Sequence, residues 1–214
     1  MENSTAFSLL DLFKMGGIFM WPLLFFSIAA MAIITERLLY LFRYNLNIDN
    51  LGSKVLETIN KGKIKNAAAF LEPITGRSMG ARVLLAFVKH ADLSEDRLEK
   101  AVETEALGCI HLLESGFTFL TAIGSLAPLT GFLGTVSGMI GAFRSIAEAT
   151  EVNAQIVANG IYEALITTVF GLIIAIIAMS AHYILTSFVD RFAVRTEQTC
   201  SELITALAKK NNAV

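Results

Sequence analysis

Charge is what this chain most lacks, and the shortage is local. Only 17% of its 214 residues are Asp, Glu, Lys or Arg, against about 25% in an average soluble domain. Three stretches carry the deficit: residues 15–35, 115–143, and 152–189 apart from Glu163. Each exceeds the roughly 18–20 residues that cross about 30 Å of hydrocarbon at 1.5 Å per residue. Cysteine is nearly absent. Cys109 and Cys200 stand far apart, without zinc spacing or a Cys-x-x-Cys pair, so they read as reduced, inert thiols. The histidines His90, His111 and His182 have no metal-ligand spacing. His182, near the inner end of the third stretch, reads as a packing or interfacial group ahead of a proton relay. No nucleophile with a base, phosphate loop or metal cluster is legible in the apolar stretches, so the chain is not expected to be an enzyme or to hold a cofactor or metal. With 17 basic and 19 acidic residues, it carries no patch suited to nucleic acid. Strand patterns, internal repeats and low-complexity runs are also lacking.

What is there is an all-α membrane pattern. The spacing predicts an interfacial segment over residues 1–14, a first transmembrane helix over 15–41, and a helical block over 42–114. A second transmembrane helix follows over 115–143, then a loop over 144–155, a third transmembrane helix over 156–189, and a helical tail over 190–214. A cleaved leader is the alternative for the first span, but no basic segment precedes it, and the apolar run exceeds the usual 7–15 residues. Lysine and arginine cluster at the inner end of span one (Arg37), in the 42–114 block and after residue 190, with Lys14 and Arg144 alone elsewhere near the spans. The positive-inside rule then puts block and tail in the cytoplasm and the N-terminus outside. Trp21-Pro22 opens span one with an interfacial anchor, and the large apolar run after it is expected to face lipid.

The block is helical by period. Leu51, Val55 and Ile59 recur every fourth residue, and Gly62 closes that helix. A short helix over 64–71 stops at Pro73 and Gly76, and Val83, Leu84, Phe87 and Val88 mark a third. A fourth starts at a cap near Asp92 or Ser94 and is expected to run unbroken into span two. Spans two and three are both longer than a bilayer needs, so long helical extensions on the cytoplasmic side follow.

Glu163 is the residue that calls for an explanation, because a carboxylate at membrane depth is expensive and its default reading is functional. Asn159, Glu163 and Thr167 fall at i, i+4 and i+8, one polar stripe, with Thr168 about 100° round. Low-dielectric surroundings favour the neutral form of a carboxyl group, so such an acid could donate a proton or exchange one. The bland alternative starts the span after Glu163 and leaves it among the outer headgroups. In span two, Gly131, Gly134, Gly138 and Gly141 advance by three or four and share a face, which points to close helix approach. Gly160 and Gly171 in span three belong to the same packing reading. Pro128 removes a backbone donor mid-span and frees the carbonyl of Gly124. Thr135 is open between pore lining and packing. One acid and a few hydroxyls are too little for a complete ion path, so several copies or a partner with its own acid are implied.

The run from Ala127 to Ile140, Ala-Pro-Leu-Thr-Gly-Phe-Leu-Gly-Thr-Val-Ser-Gly-Met-Ile, resembles the second transmembrane signature of the ExbB/TolQ/MotA proton-channel family. Gly160-Ile161-Tyr162-Glu163-Ala164-Leu165-Ile166-Thr167-Thr168 with Gly171-Leu172 resembles the third. The resemblance covers about residues 105–190 and implies a multi-pass protein of the bacterial inner membrane, N-terminus periplasmic and C-terminus cytoplasmic. It implies an oligomeric ring, five copies in the usual model, around an ExbD-like single-span partner with a membrane Asp. Ion flow would then do work on a TonB-like protein that energises outer-membrane transport. By the same resemblance Thr135 and Thr168 face the central pore, and Glu163 and Pro128 match the family's glutamate and proline. Three spans are more like ExbB or TolQ than MotA. One departure stands out. Relatives often carry Ala-Ile-Pro-Ala late in span three where this chain has Ala175-Ile176-Ile177-Ala178, so a straighter helix is expected. The competing readings are a TolQ-like subunit of an envelope-integrity motor and a non-conducting membrane scaffold. A secondary transporter would usually show repeated halves, and none is seen.

Overall fold

The computed structural model describes residues 9–61, 64–148 and 154–211. The described residues form helices α1 (Leu9–Met15), α2 (Met20–Arg43), α3 (Asp49–Asn60), α4 (Asn66–Leu71), α5 (Met79–His90), α6 (Glu95–Glu114), α7 (Phe117–Glu148) and α8 (Ala154–Asn211). A 3-10 turn at Glu72–Ile74 follows α4. The described residues contain no strand beyond a single bridge between Asn45 and Ser78. Three helical stretches are long and apolar enough to cross a membrane: Met20–Arg43, Glu95–Glu148 and Ala158–Lys210. Residues 1–8 of the expected interfacial segment, Gly62, and residues 149–153 of the expected loop lie outside the described residues.

The chain divides into two compact units. The first comprises residues 1–35 and 116–183. Its interior is made of small and medium side chains: Met20, Leu23 and Ala30 of α2, Leu120, Ile123 and Ala127 of α7, and Ala164, Ala175 and Ala178 of α8. Its outside is apolar as well. Phe25, Phe119, Phe132 and Ile176 are all more than 60% exposed. A water-soluble monomer rarely shows apolar surface on that scale, whereas a bilayer covers it at no cost.

The second unit comprises residues 36–115 and 184–214. Here the pattern is that of a globular core. Ile48, Val55, Ile59, Leu71, Leu84, Phe87 and Leu98 are buried, with Val189, Phe192 and Leu203 from the distal half of α8. Val83, Leu84, Phe87 and Val88 all point inward from α5, as their period requires. Ser78 caps α5, its hydroxyl accepting from the Ala81 amide at 3.3 Å. Gly52 of α3 packs against Thr199 of α8, and Arg195 donates to Asp49 at 2.8 Å. Arg82 pairs with Glu105 at 2.8 Å between α5 and α6. Both cysteines are free and buried.

One expectation is corrected. The fourth helix of the block does not run unbroken into span two. It ends at Glu114, and α7 starts at Phe117. Gly116 between them has φ 85°, a left-handed conformation that favours glycine. Its carbonyl accepts the Phe119 and Leu120 amides at 3.1 and 3.3 Å, so a new helix is started rather than the old one continued. By contrast α8 is continuous for 58 residues, and Ile177 lies in it without interruption.

Candidate functional site

Helices α7 and α8 meet along a seam of small residues in the first unit. A Cβ on Gly131 would fall 2.8 Å from the Thr167 carbonyl oxygen and 3.0 Å from Thr168 Cα. One on Gly134 would fall 2.7 Å from Thr167 Cβ, and one on Gly138 2.9 Å from Ala164 Cβ. From the other side, Gly160 meets Ala142 and Gly171 meets the Ala127 carbonyl in the same way. Glycine lowers helix propensity by about 1 kcal/mol per residue; here it lets two backbones touch. Gly141 shares the spacing but has nothing within 4 Å of a Cβ position.

The seam is also held by hydroxyls. Thr168 Oγ1 donates to the Gly131 carbonyl at 3.1 Å. Thr167, 1% exposed, lies 2.8 Å from the Ala164 carbonyl and 3.2 Å from that of Gly131; its single hydroxyl hydrogen is shared between them. Thr135 is half-buried and turns its hydroxyl onto its own helix, donating to the Phe132 carbonyl at 2.6 Å, a local side-chain-to-backbone bond open to a helical threonine. Pro128 sits inside α7; lacking an N–H, it cannot donate to the Gly124 carbonyl. His182 stacks edge-on against Phe117, with ring centroids 5.7 Å apart.

Glu163 points the other way. In the single chain it is exposed, next to buried Ala164, and opens on a cleft of about 280 Å³. That is room for several waters at about 30 Å³ each. The cleft is walled by Gly134, Ser137, Gly138, Gly141 and Ser145 of α7, by Gly160 of α8, and by Gly16, Ile18 and Phe19 before α2. Asn159, one turn earlier, is exposed. Thus the stripe Asn159–Glu163–Thr167 divides: Thr167 is spent on the helix contact, while Glu163 faces the cleft. Sequence reasoning missed Gly16, Gly17, Ser137, Ala142 and Ser145. The adjacent glycines Gly16-Gly17 were a turn signal, but nothing local linked them to an acid 146 residues away.

The residues of this seam fall within a wider similarity. Residues 72–198 match the family described as the MotA/TolQ/ExbB proton channel family. The biopolymer transport protein exbB1 of Vibrio cholerae is 29% identical over 206 residues, covering 90% of this chain and 85% of that protein. A biopolymer transport protein designated ExbB-like 1 from Synechocystis is 35% identical over 187 residues, covering 84% of this chain and 71% of that protein. The Tol-Pal system protein TolQ of Pseudomonas aeruginosa is 40% identical over 85 residues, 40% of this chain and 34% of that protein. With a family match over more than half its length and three helices able to cross a bilayer, this chain is a membrane protein that belongs to the MotA/TolQ/ExbB proton channel family.

Proposed function

We propose that the chain is the channel-forming subunit of an inner-membrane motor that converts proton motive force into work on a third protein. In this reading five copies form a ring around an ExbD-like single-span partner whose membrane Asp carries the proton. The N-terminus is periplasmic, and the second unit and the distal half of α8 are cytoplasmic. The observation that carries the reading is one acid, Glu163, in a stretch, residues 152–189, that carries no other charged side chain. It opens on a cleft with serine hydroxyls while the adjoining face is sealed by glycine. An acid at membrane depth that merely served packing would be a costly choice. Thr135 and Thr168 are assigned to the pore near the partner's acid, with Thr167 and Asn159 flanking the path. Pro128 and the seam glycines set the helix geometry.

Relatives named for biopolymer transport over most of both chains favour a TonB-like third protein and outer-membrane transport. The shorter similarity to TolQ supports a second reading, an envelope-integrity motor with Tol-type partners. Both require conduction; a scaffold does not. The test is co-expression with the single-span partner, purification of the complex, and an energy-coupling assay on Thr135→Val and Thr168→Val. Normal assembly with lost coupling is expected. Full coupling in both variants would turn the assignment to the scaffold.

A further inference from the structure

We propose that Gly17 is a positioning residue for Glu163, and that the turn before α2 sets where the acid's carboxyl group lies. Gly17 follows α1 with φ +66°. Glycine is favoured there by the backbone alone, as at many helix C-termini. A second, independent observation goes further. A Cβ on Gly17 would overlap Oε1 of Glu163 and lie 3.0 Å from its Cδ. The carboxyl group therefore rests directly on the Gly17 backbone, in space that any other residue would fill. The turn itself is anchored. Its Gly17 carbonyl accepts the Met20 amide at 3.3 Å, and Met20 is 2% exposed. A Cβ on Gly16 would run into Met20 and fall 3.3 Å from Ile166 of α8. With one side closed by the turn, the carboxyl group is left facing the cleft and its α7 wall, where Ser137 and Ser145 stand.

The atom met at Gly17 is the far end of a flexible side chain, so an added methyl group displaces the acid more readily than it unfolds the chain. The bearing on proton transfer rests on the channel reading above; the contact does not. The probe is a hydrophobic carbodiimide, which modifies protonated carboxyl groups in apolar surroundings, applied to the full complex in native membranes. Modification of Glu163 is followed by mass spectrometry across pH. Gly17→Ala is expected to change the rate and its pH profile, with the rate moved by about threefold or more at fixed pH. Gly108→Ala, with nothing within 4 Å, leaves both unchanged. Gly17→Asn separates backbone from contact, because Asn tolerates the left-handed region yet still adds a Cβ. It must perturb labelling as Ala does. Labelling unchanged in Gly17→Ala, or normal in Gly17→Asn alone, overturns the proposal. If neither variant accumulates, adding Glu163→Ala to Gly17→Ala must restore accumulation, and failure to do so overturns it equally. Altered labelling in a complex that proves not to conduct would remove the channel reading and leave this contact standing.

Discussion

The hydroxyl of Thr168 on α8 donates to the carbonyl of Gly131 on α7 at 3.1 Å, and Gly131 has no side chain to hold the helices apart. The same carbonyl is within reach of Thr167. A threonine assigned to a proton path is therefore also a fastener, and the two roles separate by measurement. Thr168→Val should lower stability by about 1 kcal/mol, one net hydrogen bond, too little to dissociate the complex. Coupling should be lost, and Thr168→Ser should restore it. Among the described residues Thr135 bonds within its own helix, so Thr135→Val should leave stability within about 0.5 kcal/mol and abolish coupling alone. Thermal denaturation in detergent beside the coupling assay reads both.

The seam glycines should not be equal. At Gly131 and Gly171 an added Cβ meets backbone at 2.8 and 2.6 Å, and backbone cannot swing aside. Alanine there should cost about 1–3 kcal/mol each, the usual range for overpacking. Gly141→Ala meets nothing within 4 Å and should be neutral or stabilising by up to about 1 kcal/mol. Denaturation midpoints of the three variants check the order.

These contrasts mark how far the sequence was legible. Leu51, Val55 and Ile59 announced α3 because a 3.6-residue period is local, and so did the apolar set of α5. Gly131, Gly134 and Gly138 could be assigned to one face for the same reason. Gly141 obeys the same spacing, yet spacing says nothing about how far a neighbouring helix stays in reach. The break at Ser115–Gly116 was hidden because Leu112, Leu113 and Phe117 continue the apolar pattern across it, and only the φ of Gly116 reveals the turn. The meeting of Gly17 with Glu163 is a tertiary contact, and no period encodes it.

The second unit should behave as a globular core. Phe87 is completely buried, so Phe87→Ala should cost about 3–5 kcal/mol and expose residues 36–115 to protease. Phe119, 67% exposed on the apolar exterior, is expected to tolerate alanine with no change in the digestion pattern. Limited proteolysis of membranes distinguishes the two.

Cys109 and Cys200 are 0% and 6% exposed. A maleimide reagent should leave both unmodified in the native complex and label both after denaturation, as buried thiols do. Rapid native labelling of either would mean that the second unit opens.

The central claim is that protons pass by way of Glu163. The direct measurement is proton uptake into liposomes holding the complex with its single-span partner, driven by a potassium diffusion potential and read with an entrapped pH dye. Glu163→Gln keeps the shape and removes the ionisable carboxyl group, so flux should fall by about tenfold or more, the equivalent of at least about 1.4 kcal/mol in barrier, with assembly unchanged. Equal flux in the wild type and Glu163→Gln would contradict the account.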